Sequence, residues 1–447
     1  MPRRGLVGSQ LDCENGGVPG RIEPFAVQVD EPTLDDLRDR LRRTRWPERE
    51  PVGDWSQGVP LGYLQELCAY WAGGYDWRAT EARLNQIPQF TTVIDGLEIH
   101  FLHVRSPHPG AVPLVMTHGW PGSFLEFERV LGPLTDPAAH GADAAAGVFD
   151  VVVPSLPGYG FSGKPVTAGW DIHRIAGAWV ELMTRLGYER FLAMGSDWGT
   201  SVSTSLALQY PGRLLGVHLV PPLAPPDRTA GDLTDDERAA LADLDQRSRT
   251  GAGYSAIQGT RPQTIGYSLT DSPAGLCAWI AEKLWAWTDH PGDLGQVLTA
   301  DQVLDNITMY WLTGTGASAA RLYWESIAQV TEWFTAVTGA TITVPAGCSI
   351  FPKEVPRPSR RWAQRRFANI VYWNQVSRGG HFAAWEQPGL FASEVRAAAR
   401  SCVLAPGSEP EPDNALAARA TEIADSMGKV DLIRRSIRPY IDQERRS

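Results

Sequence analysis

The sequence predicts an α/β fold in which a mainly parallel sheet carries an inserted helical lid and is preceded by a wrapping arm. Three observations predict it. From residue 90 onward, short apolar runs alternate with helical patterns, as parallel strands buried on both faces require. Between residues 225 and 337 that rhythm stops, gives way to helical patterns rich in Tyr and Trp, and then resumes. One apolar run, Phe191 to Met194, ends in Gly195-Ser196-Asp197-Trp198-Gly199. Glycines two places either side of a central residue let a strand turn sharply into a helix and expose that residue at the sheet's carboxyl edge.

Composition narrows the function classes. The chain has 447 residues and a net charge of -10, which argues against a nucleic-acid partner. No apolar stretch is long enough to span a bilayer, and no apolar segment follows Arg3-Arg4 as a secretory signal would require. Cys13, Cys68, Cys277, Cys348 and Cys402 are scattered, odd in number and without a CxxC, so a disulfide framework or zinc site is not expected. The expectation is a cytoplasmic protein with no membrane anchor. A homo-oligomer is compatible with the sequence. Arg outnumbers Lys, and Ala, Gly and Pro abound, as in GC-rich bacterial genomes.

In chain order, residues 1–22 read as loose and 23–89 as the arm. The arm shows two helical patterns, one capped by Thr33 and stopped by Trp46-Pro47, the other over Gly62 to Tyr70. The first half of the core is residues 90–224. There Asp95-Gly96 between two alternating runs signals a hairpin, and Val112 to Met116 leads into His118-Gly119-Trp120-Pro121-Gly122. Phe149 to Val153 is a further strand and Ile172 to Leu186 a helix with Ile175, Trp179, Leu182 and Leu186 as its stripe. Phe191 to Met194 is the strand before the sharp turn, Thr200 to Leu208 the helix after it, and Leu215 to Val220 the next strand. The lid, 225–337, follows, and its place in the chain sets it over the carboxyl edge where ligands bind in open α/β sheets. The second half, 338–404, holds strands at Ile342 to Pro345 and Asn369 to Trp373 and a closing helix at Leu390 to Ala399. Residues 405–447 read as a Pro- and Glu-rich linker with a charged helical extension.

The chemistry centres on Asp197. A carboxylate is nucleophilic without a base and leaves an ester that water must cleave, which suits alkylating electrophiles such as epoxides or alkyl halides. The plainer reading is an Asp that caps the following helix. Ester hydrolysis needs a base for water, and His381, in the Gly-rich loop Ser377-Arg378-Gly379-Gly380-His381-Phe382 after the last strand, has the right place in the chain. His118 competes but sits in a turn better suited to supplying an oxyanion donor; His100 and His103 look like strand positions. Glu354, in Phe351-Pro352-Lys353-Glu354 after the strand that follows the lid, is favoured as the acid over Asp227 and Asp232. The backbone N–H groups of Trp120 and Trp198 are placed to form the oxyanion hole.

Together the motifs around His118, Asp197, Glu354 and His381 resemble the microsomal-type epoxide hydrolases of the α/β-hydrolase superfamily, and the arm resembles that family's N-terminal domain. The match spans nearly all of residues 23–402. The resemblance implies an α/β-hydrolase fold and an ether-bond hydrolase acting on a small-molecule epoxide with no metal or organic cofactor. It further implies that two lid tyrosines, Tyr254 in Gly253-Tyr254-Ser255-Ala256 and Tyr323 in Ala320-Arg321-Leu322-Tyr323-Trp324, hydrogen-bond the epoxide oxygen and protonate it as the ring opens to a vicinal diol. The aromatic lid and bacterial composition lean toward a bulky aromatic or polyene substrate, in enediyne-like antibiotic biosynthesis or detoxification. Two alternatives share the nucleophile or the fold: haloalkane dehalogenase chemistry, and a catalytically silent binding protein.

Overall fold

The protein's structure is a computed structural model that describes residues 20–142, 147–336 and 339–405, together with the backbone of 3–7. The C-terminal extension and most of the N-terminal stretch read as loose lie outside the described residues. Ten strands form one sheet: β1 (Arg3–Val7), β2 (Ile22–Val29), β3 (Gln89–Ile94), β4 (Leu97–Val104), β5 (Val112–Thr117), β6 (Phe149–Pro154), β7 (Phe191–Ser196), β8 (Leu214–Val220), β9 (Ala346–Ile350) and β10 (Ile370–Gln375). Their order is β1-β2-β3-β4-β6-β5-β7-β8-β9-β10. Strands β2, β3, β4 and β6 pair antiparallel; from β6 through β5, β7, β8 and β9 to β10 every pairing is parallel. Within 1–22, Arg3–Val7 adds a parallel strand beside β2.

Fifteen helices are described: α1 (Glu31–Arg42), α2 (Leu61–Gly73), α3 (Trp77–Leu84), α4 (Glu128–Thr135), α5 (Ile172–Arg185), α6 (Trp198–Gln209), α7 (Asp235–Thr250), α8 (Gly253–Thr260), α9 (Pro262–Asp271), α10 (Pro273–Trp287), α11 (Ala300–Thr313), α12 (Gly316–Thr335), α13 (Arg360–Ala363), α14 (Ala383–Glu386) and α15 (Pro388–Val403). Helix α6 packs on β5, β7 and β8 with α5 beside it, and α15 packs on β8, β9 and β10 with α4 beside it, giving a helix layer on each face. The stripe expected on α5 is buried at Ile175, Trp179 and Leu182. Helices α7 to α12 make up the lid. None of the described helices is long and apolar enough to cross a membrane.

Local chemistry explains where these elements begin. The hairpin between β3 and β4 turns at Asp95 and Gly96 with φ of 51° and 76°, the two positive values its two-residue turn demands. Helix α1 begins earlier than the Thr33 cap suggests. Asp30 is its cap and accepts from the Thr33 N–H, so Thr33 is a first-turn residue. The arm has a third helix, α3, started by an Asp76 cap on the Arg78 N–H. Its eight residues are too short for a clear sequence period.

The strand expected at Ile342 to Pro345 is displaced. Ile342 makes a single bridge to Phe367, and the strand is Ala346–Ile350. Pro345 has no N–H for a ladder, while the small residues that follow let α15 lie close. A Cβ on Gly347 would come within 2.6 Å of the Ala398 Cβ. Packing chose small residues where sequence propensity pointed to β-branched ones.

Candidate active site

The sharp turn between β7 and α6 carries Asp197 at φ 52° and ψ -121°, a strained conformation for a residue with a side chain. Its glycines are required by close approach. A Cβ on Gly195 would collide with the Gly199 backbone, and one on Gly199 with the Thr117 carbonyl at the end of β5. Asp197 makes no side-chain capping bond to α6. Its Oδ1 instead accepts from the Trp120 N–H at 2.9 Å, in the loop after β5. A Cβ on Gly119 would strike the same carboxylate, so that loop too depends on glycine. The Trp198 N–H faces the carboxylate as well.

The other oxygen, Oδ2, lies 3.6 Å from His381 Nε2. That is too long for a hydrogen bond, and it leaves Nε2 aimed at the space beside the carboxylate. His381 Nδ1 is 2.9 Å and 3.1 Å from the two Glu354 oxygens and donates to them. Glu354 also accepts from the Val355 N–H. His381 and Glu354 side chains are 7% and 3% exposed, whereas Asp197 keeps 18%, so accessible space adjoins the nucleophile.

Burial alone would depress His381. The facing Glu354 carboxylate, with Asp197 behind it, outweighs burial and raises its pKa to about 9. Burial raises the Asp197 pKa above the usual carboxylate range, partly offset by His381 and by the Trp120 and Trp198 N–H groups. Their mutual attraction favours an ionised Asp197 beside a protonated His381 at rest, against the burial that opposes both charges.

Tyr254 on α8 and Tyr323 on α12 close the site from the lid. Their ring centroids are 5.8 Å apart, near perpendicular. Tyr254 stacks on Trp120 at 5.0 Å, and Tyr323 meets Trp198 edge-on at 4.7 Å, so each phenol packs on a residue whose N–H faces Asp197. Burial pushes both phenols upward, which keeps them protonated hydrogen-bond donors at neutral pH.

The competing candidates lie elsewhere. His118 is fully buried, bonds the Gly119 carbonyl through Nδ1 and accepts the Leu156 N–H through Nε2; burial holds it at about 4. Asp227 and Asp232 pair with Arg365 and Arg361 outside the site. His100 and His103 sit on β4 as read.

Three residues of the site carry no recognisable sequence signal. Glu386 ends α14, just ahead of the closing helix α15, and belongs to none of the motifs read from the sequence. In the fold it accepts from the N–H groups of Asp289, Gly380 and Phe382 at 2.7, 2.9 and 3.0 Å. Its pKa is raised to about 7 by burial, which these bonds partly offset. The His381 loop is further stitched to the end of α10: His381 N–H donates to the Trp287 carbonyl and Gly379 N–H to Asp289. Arg247 and Lys283 come from lid helices and meet the site only through folding. A cavity of about 750 Å³ lies nearby, lined by Lys164, Trp170, Arg261, Leu322 and Trp324 among others. Leu322 adjoins Tyr323 in the chain, but neither Asp197 nor His381 lines that cavity.

Comparison with known proteins gives the family and the fold. The family described as epoxide hydrolase N terminus matches residues 22–127, and the alpha/beta hydrolase fold family matches 112–253. A Stigmatella aurantiaca protein provisionally named epoxide hydrolase is 51% identical over 84% of each chain. Epoxide hydrolase 1 of Sus scrofa is 35% identical over 84% of this chain and 88% of its own. The solved structure of Aspergillus niger epoxide hydrolase superposes with a TM-score of 0.76 at 32% identity, covering 87% of this chain and 97% of that one.

Proposed function

The chain belongs to the epoxide hydrolases of the α/β-hydrolase fold, and on that premise we propose that it opens its substrate through a covalent ester on Asp197. One observation carries the reading: the two oxygens of a single carboxylate face different partners. Oδ1 is held by the Trp120 N–H at 2.9 Å, while Oδ2 lies 3.6 Å from His381 Nε2. A general base in a one-step attack by water would form no ester, and so would have no carbonyl oxyanion for such donors to stabilise.

In the first step Asp197 attacks an oxirane carbon. The carbon–oxygen bond breaks toward oxygen, which takes a proton from a lid phenol, Tyr254 or Tyr323. In the second, His381 takes a proton from water, which adds to the ester carbonyl while the Trp120 and Trp198 N–H groups hold the developing oxyanion. Collapse expels the diol oxygen, which takes the proton from His381. Water's second proton, left on the Asp197 carboxyl, is released and restores the phenol. Esterification also removes the Asp197 charge that helps to keep His381 protonated, so His381 releases its resting proton to solvent before it acts as base and regains one when the Asp197 carboxylate is restored. The first step therefore prepares the base for the second.

The enclosing rings of Trp120, Trp198, Trp287, Tyr254 and Tyr323 support a bulky aromatic or extended unsaturated epoxide, in detoxification or antibiotic biosynthesis. The free buried thiols Cys68, Cys277, Cys348 and Cys402 suit a reducing compartment such as the cytoplasm.

The test uses styrene oxide. His381→Gln should consume one equivalent and stall, and intact-protein mass spectrometry should show an adduct that fragmentation places on Asp197. A single wild-type turnover in oxygen-18 water should label the Asp197 carboxylate and leave the diol unlabelled. Label appearing directly in the diol, with no adduct in the variant, would mean one-step attack by water.

A further inference from the structure

The two phenols over Asp197 stand in different electrostatic settings. Half-buried on α7, Arg247 places Nη2 3.4 Å from the Tyr254 oxygen and lays its guanidinium over the Trp287 ring at 4.8 Å. Its Nη1 donates to the carbonyl of Val355, beside Glu354. From α10, the buried Lys283 sets its ammonium 4.6 Å over the Tyr254 ring. Tyr254 is thus flanked by cations from two lid helices, with Asp197 and Tyr323 as its other polar neighbours. Tyr323 meets the rings of Trp120, Trp198 and Tyr254, with no cation among its described ring contacts.

We propose that Arg247 is a positioning residue that makes Tyr254 the phenol that yields its proton during ring opening. A phenol that gives up a proton becomes an anion in a site already holding carboxylates, which costs free energy in a medium of low dielectric. A guanidinium against that oxygen offsets the cost as the charge forms, and its second nitrogen, fixed on Val355, stops it from swinging away. Tyr323, lacking such a partner, stays neutral and steers the epoxide oxygen by hydrogen bonding. Proton balance is unchanged: the proton leaves Tyr254 for the alkoxide and returns from water's second proton after ester hydrolysis. The proposal rests on the two-step reading above.

The two half-reactions separate it from a purely structural role. Stopped-flow indole fluorescence with styrene oxide gives the alkylation and hydrolysis rates of wild type, Arg247→Met and Arg247→Lys, each with and without Tyr254→Phe. Arg247→Met should slow alkylation roughly 10- to 100-fold, a part of what a positioned proton donor supplies, and leave hydrolysis within about 3-fold. Arg247→Lys, which keeps the charge, should recover most of the rate. In the Tyr254→Phe background the Met substitution should cost little further, because its target is gone. Equal losses in both backgrounds, a Lys variant as slow as Met, or slowing confined to hydrolysis would overturn the proposal, the last by assigning Arg247 to the Glu354 loop. If the Met variant does not fold, Arg247→Gln makes the same comparison. A wild type that forms no ester defeats the two-step reading itself, whereas a wild type that does, with Arg247 variants unaffected, defeats only this inference.

Discussion

At the scale of single residues, the raised pKa values of His381 and Asp197 determine how each step depends on pH. In the free protein His381 is raised to about 9 because two carboxylates face it. Once Asp197 is an ester its share of that attraction is lost, so the pKa that governs hydrolysis should lie below 9. His381 serves as a base only when neutral, and hydrolysis should therefore fall as pH drops through that lower value. Alkylation needs ionised Asp197 and should fall as pH drops through a carboxylate pKa above the ordinary range. Single-turnover rates across pH 4 to 10 read both limbs. A hydrolysis limb at or above the free-enzyme His381 value would mean that Asp197 does not lose its charge.

At the scale of elements, the site depends on a loop that is held from outside itself. The Gly-rich segment before His381 has no side chains at Gly379 and Gly380 to anchor it, and Glu386 with the end of α10 supplies hydrogen bonds that hold it. Glu386→Gln puts an amide NH2 where backbone N–H groups need an acceptor. A buried donor facing a donor costs about 1–3 kcal/mol. The expected outcome is a lower melting temperature and slowed hydrolysis with alkylation retained, since Asp197 sits on a different element. Calorimetry and rapid-quench detection of the ester check this. Slowing of alkylation instead would show that the loop also shapes the nucleophile's surroundings.

At the scale of the whole molecule, arm, core and lid are joined by buried polar contacts as well as by apolar packing. Asp305 on α11 accepts from Tyr75 at 2.7 Å, Thr80 at 2.6 Å and Arg83 at 2.6 Å, all from the arm. Arg83 also reaches Glu128 at the start of α4. Asp305→Ala strands these donors. The expected loss is about 2–4 kcal/mol, with the Arg83 share discounted because that side chain is 44% exposed and keeps Glu128. Urea unfolding should show the lower midpoint, and turnover per folded molecule should be near wild type because Asp305 does not touch the reacting groups. Unchanged stability would mean that apolar packing and β2–β3 pairing hold the arm without these contacts.

The sequence by itself determined the alternation of strands and helices, the interrupting lid and the Gly195-Ser196-Asp197-Trp198-Gly199 turn. Those features are local: a strand-to-helix turn needs small residues at fixed spacing, and apolar period reports burial wherever it runs long enough. The hairpin at Asp95-Gly96 was legible for the same reason, since its positive φ values admit few residues. Motif resemblance then singled out His381, Glu354, Tyr254 and Tyr323, which lie 57 to 184 positions from Asp197 and form one cluster only through the sheet order and the placement of the lid. Tertiary structure alone decided the rest. The strand after the lid fell on Ala346–Ile350 because α15 must approach closely there, a demand made by a helix some 40 residues further on. Glu386, Arg247 and Lys283 gain their roles from charges and backbone groups brought in from distant elements. A residue whose function is to complete another's electrostatic surroundings leaves no spacing in the chain to read, because its partners are fixed only when the layers pack.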